Sequence, residues 1–283
     1  MEEYLKAALE LCKGLKKIAL KNAGSYEDRR HGSGFSGDVT YEVDVPMEDY
    51  VSEFFSERKL PVKVITEDQG FIDYSKGKPK AVYLIDPLDG TRNLRRNLPA
   101  SCCSIAVYPP KARFVDEAAA CVIGRFDADE TYTAVRGEGA FLNRKRIKAS
   151  GKKDLENAVL IFGGHFPSAI QTYSRMMETL SLEKKSHATD VWLKEYGSTA
   201  LELAFLASGR ADMYAEIRAS TNLAFTPKTY DMAAGILLCK EAGVKYALGS
   251  KRLGEKVLID PRIPMQYVGA GSEELMEKIR KMM

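Results

Sequence analysis

With 283 residues, 45% of them apolar and 29% charged, the chain can fill one large domain or two medium ones, and its composition excludes an intrinsically disordered protein. The 42 Lys and Arg against 39 Asp and Glu leave a net charge of +3, which gives no electrostatic reason to expect nucleic acid as a partner. Apolar runs such as 81–85 fall far short of the ~20 residues a membrane span needs, and the start Met1-Glu2-Glu3 has no secretory h-region, so a soluble, cytoplasmic protein without membrane contact is expected.

In chain order, Leu5, Ala8, Leu9, Cys12, Leu15 and Ala19 recur at helical spacing and predict an amphipathic helix ending near 22–24. The glycine-rich, charged segment 25–37 reads as a mobile loop. A second helix is expected from Pro46, with Met47, Tyr50, Val51 and Phe54 on one face and Leu60-Pro61 closing it. Strands are expected at 62–66, 81–85, 104–108, 118–123, 131–135, 158–162, 211–217, 244–247, 256–259 and 266–268, and helices at 167–180, 198–207, 231–242 and 272–281. Their alternation favours α/β layers with ligands at the strand ends. The polar stretch Gly151-Lys152-Lys153 suggests a boundary between two halves, 1–152 and 153–283.

Five cysteines (Cys12, Cys102, Cys103, Cys121, Cys239), odd in number and lacking a C-x-x-C pair, argue against a disulfide framework or thiolate zinc site. They read as small core residues. His31, His165 and His187 are too scattered to hold a metal, so any metal ligands are oxygens.

Two of the expected strands end in carboxylates: 62–66 runs into Glu67-Asp68, and 81–85 into Asp86-Pro87-Leu88-Asp89-Gly90-Thr91. Charge at the end of a buried strand is costly unless compensated. If the strands are neighbours their ends lie ~5 Å apart. Glu67 then faces Asp86 and Asp89, a crowding that raises pKa values or recruits a cation, Mg²⁺ rather than zinc. Gly90 permits a close backbone approach, and a helix starting near Thr91 would offer N–H groups to a phosphate. The alternatives are a simple turn with Asp86 capping a helix and a solvated acidic pair at 67–68. Asp231, ahead of the apolar run 232–238, also reads as a helix N-cap.

Asp86-Pro87-Leu88-Asp89-Gly90-Thr91-x-Asn93 resembles the first signature of the inositol monophosphatase superfamily, and Tyr230-Asp231-x-Ala233-Ala234-Gly235 with Glu241-Ala242-Gly243 resembles its second. Ile65-Thr66-Glu67-Asp68, Gly197–Leu203 and Gly209–Tyr214 also match, in family order over nearly the whole chain. The resemblance implies a layered α/β/α/β/α sandwich, a homodimer, and a Mg²⁺-dependent phosphomonoesterase acting on a small phosphate ester by metal-activated water. Metal ligands would be Glu67, Asp86, the Leu88 carbonyl, Asp89 and Asp231. Gly90 and Thr91 would bind phosphate, Glu67 and Thr91 would orient the water, and Asp38 would help a further Mg²⁺. Asp89, Gly197, Thr199 and Glu216 fall where the family contacts substrate hydroxyls, with Lys194 near a basic substrate position. Arg218 matches an arginine of the archaeal-type inositol monophosphatase/fructose-1,6-bisphosphatase branch; its other reading is a solvated loop arginine.

Inositol 1-phosphate and fructose 1,6-bisphosphate are the expected substrates, Arg218 leaning to a bisphosphate. The alternatives are a 3′-phosphoadenosine 5′-phosphate phosphatase and a non-catalytic regulatory relative. Tyr230 stands where the family has Trp and Leu94 where it has Phe, both read as tolerable apolar swaps. The 25–37 loop offers Arg29 and Arg30 but no lysine, and 219–229 is longer than in many relatives.

Overall fold

The computed structural model describes residues 1–24, 30–164, 191–218 and 226–282, with the single positions 174 and 178. Helix α1 (Glu2–Asn22) buries Tyr4, Ala7, Ala8, Leu11, Cys12, Leu15 and Ala19 on the stripe its spacing defines. A short hairpin, β1 (Arg30–Ser33) and β2 (Val39–Tyr41), leads into α2 (Val45–Arg58), which stops at Lys59 in the left-handed conformation just before Leu60-Pro61.

An eight-stranded sheet follows among the described residues: β3 (Val62–Thr66), β4 (Gly70–Asp73), β5 (Ala81–Asp89), β6 (Cys102–Tyr108), β7 (Ala120–Arg125), β8 (Thr131–Val135), β9 (Gly139–Leu142) and β10 (Lys145–Ile147), in the order β10-β9-β8-β7-β6-β5-β3-β4. Only β3 and β5 pair in parallel within it. The short helix α3 (Thr91–Arg95) leaves the end of β5. The second sheet, β12-β11-β13-β15-β14, comprises β11 (Val159–Phe162), β12 (Trp192–Lys194), β13 (Met213–Glu216), β14 (Lys245–Gly249) and β15 (Gln266–Ala270).

Helices α4 (Thr199–Ala207) and α5 (Thr229–Glu241) lie between the sheets. Every residue of α4 is buried, and α5 is apolar nearly all round, the pattern of a helix covered on both sides. Leu84, Cys121 and Ile123 of the first sheet and Ile161 and Tyr214 of the second share one apolar cluster with Leu201, Ile236 and Leu237. Each such Leu or Ile contributes about 2 kcal/mol by leaving water. The outer face of the first sheet is covered by α1 and α2, and that of the second by α6 (Glu273–Met282), which buries Leu275, Met276 and Ile279 against Val268 and Ala270. The architecture is therefore α/β/α/β/α, as the family resemblance implies. Among the described residues no helix is long and apolar enough to cross a membrane.

Some expectations shift. The strand expected at 118–123 lies at Ala120–Arg125, and β5 extends past Ile85 to Asp89. The segment 256–259 is no sheet strand: Val115 donates to the Val257 carbonyl (2.9 Å) and Ile259 to that of Arg113 (2.9 Å), so it makes a single bridge to the turn at Phe114. The helix expected over 167–180 lies outside the described residues, apart from the two single positions. All five cysteines are free and buried.

Candidate metal and phosphate site

The parallel register places Thr66 opposite Ile85, so Glu67 and Asp86 leave the sheet side by side. On the other edge of β5 the pairing with β6 slips between Asp86, opposite Ser104, and Asp89, opposite Cys102. This bulge turns two carboxylates three positions apart toward one place. The third comes from α5, whose start is pinned to β6 by the Ser104 hydroxyl donating to the Tyr230 carbonyl (3.1 Å). Asp231 there accepts the Lys228 N–H (2.6 Å), closing the helix as its third residue rather than as the N-cap itself. Oxygens of Asp86, Asp89 and Asp231 all lie within 4.8 Å of one another.

Burial is the first cause of the high pKa of each carboxylate, and for Glu67, Asp86 and Asp231 repulsion from neighbouring carboxylates adds to it. Asp86 and Asp231 are raised well above the usual range, Asp86 by burial and then by Asp89 and Asp231. Glu67 is also raised well above it, by burial and then Asp86 and Asp231; it stands beside the trio rather than within it. Asp89 rises only to about 6, because Ser198 Oγ (2.8 Å) and the Ala200 N–H (2.7 Å) at the start of α4 donate to its Oδ2. The donors are all oxygens, crowded and short of positive charge, which suits a hard divalent cation.

Beside the trio, Gly90 caps α3 with φ +88°. A Cβ there would lie 2.7 Å from the Ala100 carbonyl oxygen, so the turn that carries Thr91 into the cavity requires glycine. Thr91 Oγ1 lies 3.1 Å from both Asp44 Oδ1 and the Leu88 carbonyl, acceptors for its one proton. Asp44 accepts the Tyr41 N–H (2.7 Å) and is pushed up to about 7 by burial. The sequence reading missed it; an Asp directly before Val-Pro at a helix start was the available signal. Also missed were two glutamates that hold turns. Glu48, raised to about 7 by burial, accepts the Asp68 N–H (3.1 Å), and Glu202, raised to about 8 by burial, accepts the N–H groups of Tyr196 (2.7 Å) and Gly197 (3.1 Å).

One cavity is lined by Asp38, Glu67, Asp89, Gly90, Thr91, Gly197, Thr199, Arg218, Tyr230 and Asp231, with Asp86 buried beside it. Lys194 and Glu216 are not among its described lining residues. Lys194 is exposed on β12, its ammonium over the Trp192 ring, and its neighbour Glu195 lines the cavity instead. Glu216 is fully buried and gripped by Arg218, whose Nε reaches both carboxylate oxygens (2.9 and 3.0 Å). Arg218 is thus a buried, paired arginine at the cavity wall, not a solvated one. Tyr230 is more than an apolar stand-in for Trp: its hydroxyl donates to Asp38 (2.6 Å) and lies 3.4 Å from Glu67.

The sequence profile of the inositol monophosphatase family matches residues 1–282. The chain belongs to this family. A fructose-1,6-bisphosphatase/inositol-1-monophosphatase of Methanothermobacter thermautotrophicus is 31% identical over 259 residues, covering 87% of this chain and 84% of that one. The Nus factor SuhB of Escherichia coli K12 is 30% identical over 287 residues, covering 99% and 100%. Among solved structures, the extragenic suppressor protein SuhB of Bartonella henselae superposes with a TM-score of 0.77 at 23% identity, covering 99% of this chain and 98% of that one. A gene product described as an inositol monophosphatase-fructose 1,6 bisphosphatase gives 0.78 at 22% identity, covering 98% of each. At these identities the structural likeness shows the shared family fold.

Proposed function

We propose that the protein is a Mg²⁺-dependent phosphomonoesterase hydrolysing a sugar or polyol phosphate, inositol 1-phosphate and/or fructose 1,6-bisphosphate. The observation that carries this reading is the convergence of Asp86, Asp89 and Asp231 beside Gly90 and Thr91 in one cavity. Asp86, Asp89 and Asp231 would hold one Mg²⁺, with Glu67 and the Leu88 carbonyl at hand for a second. Such ions lower the pKa of water and screen the charge that builds on phosphate and leaving oxygen.

The chain's own groups do the rest. Thr91, donating its proton to Asp44, presents Oγ1 lone pairs to a water in the cavity, with the Asp44 carboxylate behind it to accept a proton relayed through the hydroxyl. Glu67 orients the same water from the end of β3. Gly197 and Thr199, on the turn held by Glu202, would meet substrate hydroxyls, and Arg218 would face a second phosphate. Cys102 is no nucleophile: it is buried and its thiol is raised well above its usual range by burial and then by Asp89.

Relatives that share about 30% of the sequence and are described as Nus factor SuhB favour a second reading, a regulatory protein. The intact carboxylate trio favours catalysis over it. Phosphate release from inositol 1-phosphate, fructose 1,6-bisphosphate and 3′-phosphoadenosine 5′-phosphate, with Mg²⁺ or EDTA, decides between them. Mg²⁺-dependent release from either of the first two is expected. A folded chain inert on the whole panel would favour the regulatory reading.

A further inference from the structure

Lys228 reaches from the N-cap of α5 across 190 residues of sequence to the tip of the β1–β2 hairpin. Its Nζ donates to the Ser36 carbonyl (2.8 Å) and to Asp38 Oδ2. The same Oδ2 accepts from the Tyr230 hydroxyl (2.6 Å) and, more distantly, from Ser36 Oγ (3.4 Å). Three donors occupy Oδ2, so a metal could reach this carboxylate only at Oδ1, beside the ammonium's charge. The ammonium side chain is 12% exposed and Asp38 25%, so water screens the pair little. A doubly charged ion placed at this oxygen would also meet the ammonium at close range, where like charges repel strongly.

The hairpin tip is fixed on its other side as well. Phe35 and Ser36 donate their N–H groups to the carbonyls of Asp68 (2.9 Å) and Glu67 (3.1 Å). Lys228 therefore closes a ring of bonds running from α5 through Asp38 to the turn that carries Glu67. The loop 25–37 contains no lysine, and the ammonium that meets Asp38 comes from the other half of the chain.

We propose that Lys228 is the resident cation of Asp38: its ammonium takes the place of a further divalent ion there and locks the 30–41 hairpin against Glu67. Asp38 is then a positioning residue, not a metal ligand. The inference rests on the phosphatase reading only for the ions it counts.

The test is the number of Mn²⁺ ions bound per chain, by equilibrium dialysis of the full-length protein, together with hydrogen exchange over residues 30–41. Lys228→Met is expected to bind one ion more than the unaltered protein and to exchange the hairpin amides at least tenfold faster. Lys228→Arg should behave as the unaltered chain, and Lys228→Met with Asp38→Asn should lose the added ion. Asp38→Asn alone should leave the ion count unchanged, an arm that stands even if Lys228→Met does not fold. Loss of an ion in Asp38→Asn, or no gain and no faster exchange in Lys228→Met, would overturn the proposal. A chain that binds no Mn²⁺ would instead sink the phosphatase reading, and the exchange arm then decides the lock by itself.

Discussion

Asp89→Asn tests how much folding stability the metal-free site gives up for its crowded charge. Asp89 has a carboxyl raised by burial to about 6, against an ordinary value of 3.8. A folded pKa above the unfolded one means that the group costs stability once pH exceeds the unfolded value. The cost grows between about 4 and 6 and is constant above. The difference of roughly 2 pKa units corresponds to about 3 kcal/mol at pH 8 and about half that at pH 5. The amide should fit, because Ser198 Oγ, the Ala200 N–H and Cys102 Sγ all address the same oxygen, Oδ2. The Asn carbonyl can replace that oxygen, leaving the NH₂ to donate toward its carboxylate neighbours. For a chain of this length about 3 kcal/mol is roughly 5 °C in Tm. Thermal melts in EDTA should therefore show the variant about 5 °C more stable at pH 8, with a clearly smaller gain at pH 5. Adding Mg²⁺ should stabilise the unaltered protein more than the variant. A variant equally destabilised at both pH values would refute the reasoning.

Thr91→Val keeps the shape but removes the hydroxyl beside Asp44, and kcat should fall by about 10²-fold with little change in Tm; steady-state phosphate release measures it. Gly90→Ala places a methyl 2.7 Å from the Ala100 oxygen at φ +88°, and urea unfolding should show a loss of about 2 kcal/mol or more. Arg218→Ala leaves Glu216 buried without its cation, at a cost of about 3 to 5 kcal/mol in the same assay. In kcat/KM it should hurt fructose 1,6-bisphosphate more than inositol 1-phosphate, and equal losses would remove Arg218 from bisphosphate recognition.

What could be read from the sequence was whatever local pattern encodes. The stripe of α1 and the apolar runs ending in Glu67 and Asp86 needed only spacing and composition, whereas the neighbourship of β3 and β5 stayed a condition until the structure paired them in parallel. The short strands β1, β2, β4, β9, β10 and β12 were not legible, because β1 and β12 are exposed throughout and the other four bury at most two residues each, so no apolar alternation marks them. The run 256–259 misled for the opposite reason: Val257 is buried, but by pairing with a turn. Asp44 and Lys228 act on partners 47 and 190 residues away, a proximity that only the folded layers create. Tyr230 was read for its ring, whereas the structure uses its hydroxyl.

Anomalous diffraction from crystals soaked in Mn²⁺ tests most directly whether distant acidic side chains share an ion. The expected result is a peak about 2.1 Å from oxygens of Asp86, Asp89 and Asp231. A map with no peak at these three residues, from crystals in which the chain is folded and Mn²⁺ binds elsewhere, would contradict the account.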